Sequence, residues 1–376
     1  MKQRRALLLE DGASRGALAA VRSLGRAGWH VGVGAPHRGP AAVSRWCATW
    51  HPVTGAELDP ETFVADAKVA SRGYDLILPC GDAETLLVSQ DRSRFGGVLP
   101  YPPHDVVARA FDKLALGDAA HAAGVAVPRT RPATDAAEAE TAYPVVVKPR
   151  TRNIARGGHV PYGTLAPDRE SLRACADAIR RAGAEPLLQE HIPGPLAALT
   201  TLRAADGGVV AHAYQLADAT WPPQMGGSVR ARTADVPPDV AEAVDSLLGR
   251  LGWFGLAQVQ FIRAADGTHR LIDVNGRLYG SIALAIAAGA DFPRLWADAA
   301  PPRDPPVVAR AGVRYHALEG DVRRLVAERR AGDNVVRYAV GAVHALWRRD
   351  DPLPALRRIA ALATNGGAKT VRAFRR

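Results

Sequence analysis

The chain has 376 residues, 47% hydrophobic and 23% charged, with a formal net charge of +10, enough for two or three packed units of an ordinary soluble protein. Its three cysteines, Cys47, Cys80 and Cys175, lie too far apart for a zinc knuckle or a disulfide framework, which points to a reducing, cytoplasmic setting. The longest apolar window, Ile282 to Ala290, is about half of what a bilayer requires, so no membrane span is expected.

The opening run from Met1 to Asp11 is charged but its apolar stretch is too short for a signal peptide, so Arg5 to Glu10 is predicted as a first buried strand. Leu18, Val21 and Leu24 predict a helix closed by Gly25 to Gly28, and Trp29 to Val33 a second strand, which makes a βαβ unit. The glycines of Asp11-Gly-Ala-Ser-Arg-Gly16 lack the G-x-G-x-x-G spacing, so a dinucleotide site is not supported. Tyr74 to Pro79 reads as a further strand, with Asp82 and Glu84 at its carboxyl end, where open α/β sheets place ligands. Asp82 equally suits the N-cap of a helix from Ala83 to Gln90.

Phe111 to Gly124 predicts a helix carrying Lys113, ended by its glycine. Tyr143-Pro-Val-Val-Val-Lys-Pro149 is a tight apolar strand that delivers Lys148 at its end, where an unpaired ammonium is costly and phosphate is a natural counter-charge. A polar loop, Thr151 to Gly158, follows, and Pro186 to Gly194 reads as another strand. Met225-Gly-Gly-Ser-Val-Arg-Ala-Arg232 suits either an anion site or a hairpin turn leading into a strand.

In the stretch from Gly255 to Arg277, two runs of apolar and polar alternation flank Asp266-Gly267, the signal for a hairpin with a two-residue type I′ turn. That turn sets Gln260 opposite Asp273 and Gln258 opposite Asn275 on one face, with Val259, Phe261, Ile272 and Val274 on the other. A face of amide and carboxylate oxygens suits a hard cation that bridges phosphates, and equally the solvated side of an edge hairpin. Pro301-Pro-Arg-Asp-Pro-Pro306 punctuates the chain. Beyond it Val322, Leu325 and Val326, then Val336, Val340, Val343 and Trp347, predict basic helices whose apolar stripes dock on the core or on another subunit.

The charge is concentrated there: from Pro301 onward fifteen arginines and Lys369 stand against seven acidic residues, which accounts for +9. Such a tail suits an acidic partner, an anionic surface or a solvated helix face, and it has too few aromatic residues for base stacking on nucleic acid. Of 48 basic residues only Lys2, Lys68, Lys113, Lys148 and Lys369 are lysine.

The hairpin and its ending, Leu271-Ile-Asp-Val-Asn-Gly-Arg277, resemble the metal-binding hairpin of the ATP-grasp superfamily. The continuation from Leu278 to Pro293 is similar to the bacterial carboxylate-amine ligase branch of that superfamily. The resemblance implies a mixed α/β and α+β ATP-grasp fold: an N-terminal Rossmann-like preATP-grasp domain over 1–110, a catalytic core over 111–300 with a nucleotide-binding lid at about 130–200, and a basic helical extension over 301–376. It further implies ATP as cosubstrate, with Lys113 and Lys148 on its phosphates, Gly157 and Gly158 in a closing loop, and Gln189, Glu190, His191 and Ile192 at adenine. One or two Mg2+ ions, or Mn2+, would sit on Gln260, Asp273 and Asn275; Ser228, Arg230, Arg277, Gly280 and Ser281 would meet substrate, with Lys148 and Arg277 catalytic. Two of the five lysines therefore fall where a compact ammonium suits phosphate better than a guanidinium. Arg150, Arg152 and Arg156 are additions to the loop, and the stretch after Gly194 has no acidic residue for ribose.

The implied reaction joins a small carboxylic acid to an amine, amino-acid or peptide-like, through an acyl phosphate, in the cytoplasm, with a homodimer or partner contact through the extension. The pattern departs at Gln260 and Asp273, where glutamates are usual, and at Gly276, where proline is usual. The loss of a carboxylate keeps open a nucleotide-binding pseudoenzyme that partners an active ligase.

Overall fold

Leu7, Leu8 and Leu9 are fully buried, as a parallel strand between helical layers requires. In the computed structural model, which describes residues 3–135, 138, 140–151, 163–328 and 335–362, Arg5–Leu9 (β1) lies inside a four-stranded parallel sheet. Its neighbours are His30–Ala35 (β2), Thr49–Pro52 (β3) and Leu76–Pro79 (β4), in the order β3-β2-β1-β4. Helix Arg15–Arg26 (α1) begins where Ser14 accepts from the Ala17 amide, and Pro60–Ala70 (α2) where Asp59 accepts from Thr62. Helix Asp82–Gln90 (α3) has Gly81 at its cap, so Asp82 makes no capping bond.

Phe111 ends a separate helix, His104–Phe111 (α4), and the helix predicted from Phe111 to Gly124 is present as Lys113–Ala122 (α5). Asp112 separates the two, because its carboxylate accepts from the Leu114 and Ala115 amides and caps α5. A small antiparallel sheet follows, made of Thr130–Pro132 (β5), Val145–Pro149 (β6), Thr164–Ala166 (β7) and Pro186–Glu190 (β8), in the order β5-β8-β6-β7. Helix Arg169–Arg181 (α6) lays Leu172, Ala176 and Ile179 against it.

The largest sheet holds Leu196–Arg203 (β9), Val209–Trp221 (β10), Gly227–Ala234 (β11), Gly255–Arg263 (β12) and His269–Asn275 (β13), with Pro238–Leu251 (α7) packed on it. After the short helices Ile282–Ala287 (α8) and Phe292–Ala297 (α9), the stretch expected to be a helical extension returns to this sheet. Val307–Val308 (β14) pairs with β10, Arg314–His316 (β15) with β11, and Val343–His344 (β16) with β15, around helices Leu318–Glu328 (α10) and Val335–Ala339 (α11). Strands of two or three residues carry no readable period, and Val343, expected on a helix face, lies in β16 instead. The other stripe residues Val322, Val326, Val336, Val340 and Trp347 are exposed.

Leu278, Ile282, Phe292 and Trp296 share a core with β1 and α1, so the segment after the hairpin packs on the N-terminal sheet. Two glycines permit these approaches. A Cβ on Gly16 would stand 2.8 Å from the Tyr279 carbonyl oxygen, and one on Gly276 would stand 2.2 Å from Cη2 of Trp253. The bulky indole thus occupies the space that the usual proline would need. The C-terminal stretch is anchored by Arg22, whose Nε donates to Asp351 at 2.8 Å with both side chains buried. Among the described residues, no helix is long and apolar enough to cross a membrane.

Candidate functional site

The predicted pairs Gln258 with Asn275 and Gln260 with Asp273 are present in the β12–β13 hairpin, but the turn differs from the predicted one. Asp266 accepts from the Thr268 amide and hydroxyl, Ala264 N donates to Thr268 O, and Gly267 alone takes a positive φ of 84°. This is the three-residue loop with a left-handed glycine, shifted by one residue from a type I′ turn. The register shift between Gln260 and Phe261 then restores the pairing at the functional end. It leaves Ile272 as the extra residue, so Leu271 takes the core position expected for Ile272, and Ile272 turns into the cleft.

The bulge has a chemical consequence. The Ile272 carbonyl accepts from Nζ of Lys148 at 3.0 Å, which ties the small sheet to the hairpin across the cleft. Lys148 is 7% exposed, and burial, then the neighbouring Lys113 charge, pull its pKa from 10.5 to about 7, against the pull of Asp273. Among the described residues no carboxylate forms an ion pair with either lysine. Lys113 is positioned by the Asp112 cap and by its amide, which donates to Arg150 O at 3.0 Å, while Arg150 bonds Asp112 at 2.8 Å.

These groups line one cleft of about 730 Å3 between the small and large sheets. Its lining includes Glu190, His191 and Ile192 together with the apolar side chains Val146, Leu196, Ile262 and Ile272, of which Leu196 and Ile262 are paired across β9 and β12. Gln189 donates to the Thr130 hydroxyl at 2.9 Å, and the Glu190 carboxylate accepts from the Arg129 amide at 3.1 Å. The lining also includes Lys113, Lys148, Gln258, Gln260, Asp273 and Asn275. Asn275 Nδ2 donates to Gln258 Oε1 at 3.3 Å, and Asp273 Oδ1 accepts from the Val274 amide at 3.0 Å. At one end Arg277 donates to Asp82 at 2.5 Å and to Asn275 Oδ1 at 3.0 Å, beside Ser228, Gly280 and Ser281.

As a metal site this donor set is lean. Asp273 is its one carboxylate, and no group of three or more His, Cys, Asp or Glu residues among the described residues could hold an ion. Mg2+ commonly uses one or two carboxylates, waters and phosphate oxygens, so the residues fit one ion shared with a nucleotide and lack an anion for a second.

No protein-family model matches the chain, and no curated protein does. Solved structures do. Biotin carboxylase from Campylobacter jejuni aligns with a TM-score of 0.63 at 14% identity, over 83% of this chain and 74% of that one. N5-carboxyaminoimidazole synthetase from Staphylococcus aureus aligns at 0.61 and 14%, over 81% and 80%. The L-amino acid ligase from Bacillus licheniformis aligns at 0.61 and 17%, over 81% and 76%. The chain has the ATP-grasp fold.

Within that ATP-grasp frame the sequence-predicted residues divide. Lys113, Lys148, Gln189, Glu190, His191, Ile192, Ser228, Gln260, Asp273, Asn275, Arg277, Gly280 and Ser281 all line the cleft. Arg230 does not: its Nε donates to Asp321 at 2.8 Å, and its guanidinium lies 4.7 Å from the Tyr338 ring centre, in a buried network with His316 and Arg324. The structure therefore removes Arg230 from the expected substrate contacts. Gly157, Gly158, Arg152 and Arg156 lie outside the described residues. Glu84 is buried and is not among the residues that line the cleft; burial pushes its carboxyl up to about 8. Sequence reasoning missed Arg15, Gln215 and Trp221, which also line the cleft, and the only signal for Arg15 was its place beside Gly16 after the first strand.

Proposed function

We propose that the chain is an ATP-dependent ligase that joins a small carboxylic acid to an amine through an acyl phosphate. The observation that carries this reading is the pair Lys113 and Lys148: two ammonium groups without a carboxylate partner among the described residues, facing Asp273 in a cleft with apolar side chains in its lining. Two like charges held together need an anion between them, and a triphosphate meets that need while its base suits the apolar lining.

In this reading the backbone from Gln189 to Ile192 orients the base, and Lys148 and Lys113 align the phosphates and neutralise their charge. A carboxylate oxygen of the acid attacks the γ-phosphorus while the bond to ADP breaks, giving an acyl phosphate. The amine then attacks the acyl carbon, loses a proton, and phosphate leaves. Arg277, charge-paired with Asp82 and held by Asn275, lines the cleft as a hydrogen-bond donor to the transferred group. Asp273 would hold Mg2+, which supplies further charge neutralisation when bound.

The test is calorimetric titration of Mg-ATP, followed by measurement of ADP and phosphate released with pools of carboxylic acids and amines. Mg-dependent ATP binding with release that needs both pools supports the reading, and absence of nucleotide uptake sinks it. The single carboxylate at the metal position favours one alternative, a nucleotide-binding protein without turnover, and binding without substrate-dependent release would select it.

A further inference from the structure

Among the described residues two arginines line the cleft, and they differ in their partners. Arg277 is neutralised by Asp82 at 2.5 Å. Arg15, in the first turn of α1, forms no ion pair with a carboxylate among the described residues. The acid whose charge it feels, Glu319, is already engaged by Arg358 at 2.8 Å and by Arg323 at 2.7 Å.

Arg15 reaches the cleft because Gly16 lets α1 press on the backbone of Leu278 and Tyr279. Its guanidinium then lies in a slot with glycine walls. A Cβ on Gly280 would stand 3.1 Å from Nη2 and 3.4 Å from Nε, and one on Gly227 would stand 3.9 Å from Nη2. Tyr315, fully buried, feels the Arg15 charge and donates to Gly280 O at 2.9 Å. Apart from the mutually neutralising Arg277–Asp82 pair, the polar groups of this end carry no charge: the Ser228 hydroxyl, and Ser281 donating to Gln215 Oε1 at 3.0 Å, all three side chains buried.

One planar cation among neutral hydroxyl and amide groups matches a carboxylate, which a guanidinium binds through two parallel bonds. A phosphate dianion calls for a second cation, and the other arginine already has its anion. We propose that Arg15 anchors a substrate carboxylate that is not the one phosphorylated, so that the site takes amino-acid-like or dicarboxylic substrates. The inference rests on the reading of the cleft as a ligase site.

Ligand-observed NMR of the full chain with Mg-ADP tests it, using the proteinogenic amino acids and small dicarboxylates, each beside its carboxamide, and inorganic phosphate. At least one acid is expected to bind about 10- to 100-fold more tightly than its carboxamide. Arg15→Gln removes that preference, Arg15→Lys keeps part of it, and Gly280→Ala, which fills the slot without touching the charge, weakens the acid more than the amide. Equal binding of acids and amides, binding of neither, a preference that survives Arg15→Gln, or Arg15-dependent capture of phosphate in place of the acids would overturn the proposal. Calorimetry with Mg-ATP separates the two readings: an acid preference without nucleotide binding sinks the ligase and leaves the Arg15 anchor standing. Nucleotide binding without the preference does the reverse.

Discussion

Replacing Lys148 by methionine should make the free protein more stable and the nucleotide complex weaker. The fall of its pKa from 10.5 to about 7 corresponds to about 5 kcal/mol of unfavourable burial for the ammonium, at 1.36 kcal/mol per pH unit. Methionine keeps the length and apolar contact but forfeits the bond to the Ile272 carbonyl, worth about 1 kcal/mol, and leaves that acceptor without its donor. The net expectation is a gain of about 2 to 4 kcal/mol in unfolding free energy at pH 7. Because the folded-state pKa is below the unfolded one, the burden on the wild type is full below pH 7, declines as pH rises from 7 to 10.5, and is gone above. The gap between variant and wild type in urea titrations should narrow over that window. In parallel, loss of a charged bond to phosphate should weaken Mg-ATP about 10- to 100-fold. A variant that is less stable than the wild type at pH 7, or that binds Mg-ATP equally well, refutes the reasoning.

Gly276→Ala should cost about 1 to 3 kcal/mol of stability, since its Cβ meets Trp253 at 2.2 Å. Adding Trp253→Phe removes the clashing ring atoms, so the double variant should lose less than the sum of the two in denaturant titrations. Asp351→Asn leaves Arg22 charged in a buried site and should cost about 3 to 5 kcal/mol, whereas Arg22→Met with Asp351→Leu should recover most of it; a loss under about 1 kcal/mol by calorimetry would contradict a buried pair. Gln260→Glu should raise bound Mn2+ from one to two per chain in the presence of ADP, read by electron paramagnetic resonance. A stoichiometry of one in both proteins would mean that Asp273 alone decides metal number.

Residue chemistry with short-range spacing was readable from the chain itself. The run Val145 to Lys148 announced a buried strand with an ammonium at its end, and the alternation around Asp266-Gly267 announced a hairpin with its oxygens on one face. These depend on the strand period of two and on local turn chemistry, which neighbouring residues determine. The departures were also visible, in Gln260 and Gly276, before any reason for them was.

Other features required the three-dimensional arrangement. The Ile272 bulge cancels the shift at the turn, a compensation that pairing with β9 and the core demands and that local sequence does not encode. Arg277 meets Asp82 across 195 positions, Arg230 is drawn into a network with Asp321, and Arg15 reaches the cleft through the packing of Gly16 on Tyr279. Each is a long-range contact chosen by how layers stack, so residue type alone could nominate Arg230 as readily as Arg15. Residue types along the chain limited which side chains could hold a phosphate or a carboxylate; the stacking of layers selected which of them share a cavity, because charges act over a few ångströms in space and not along the chain.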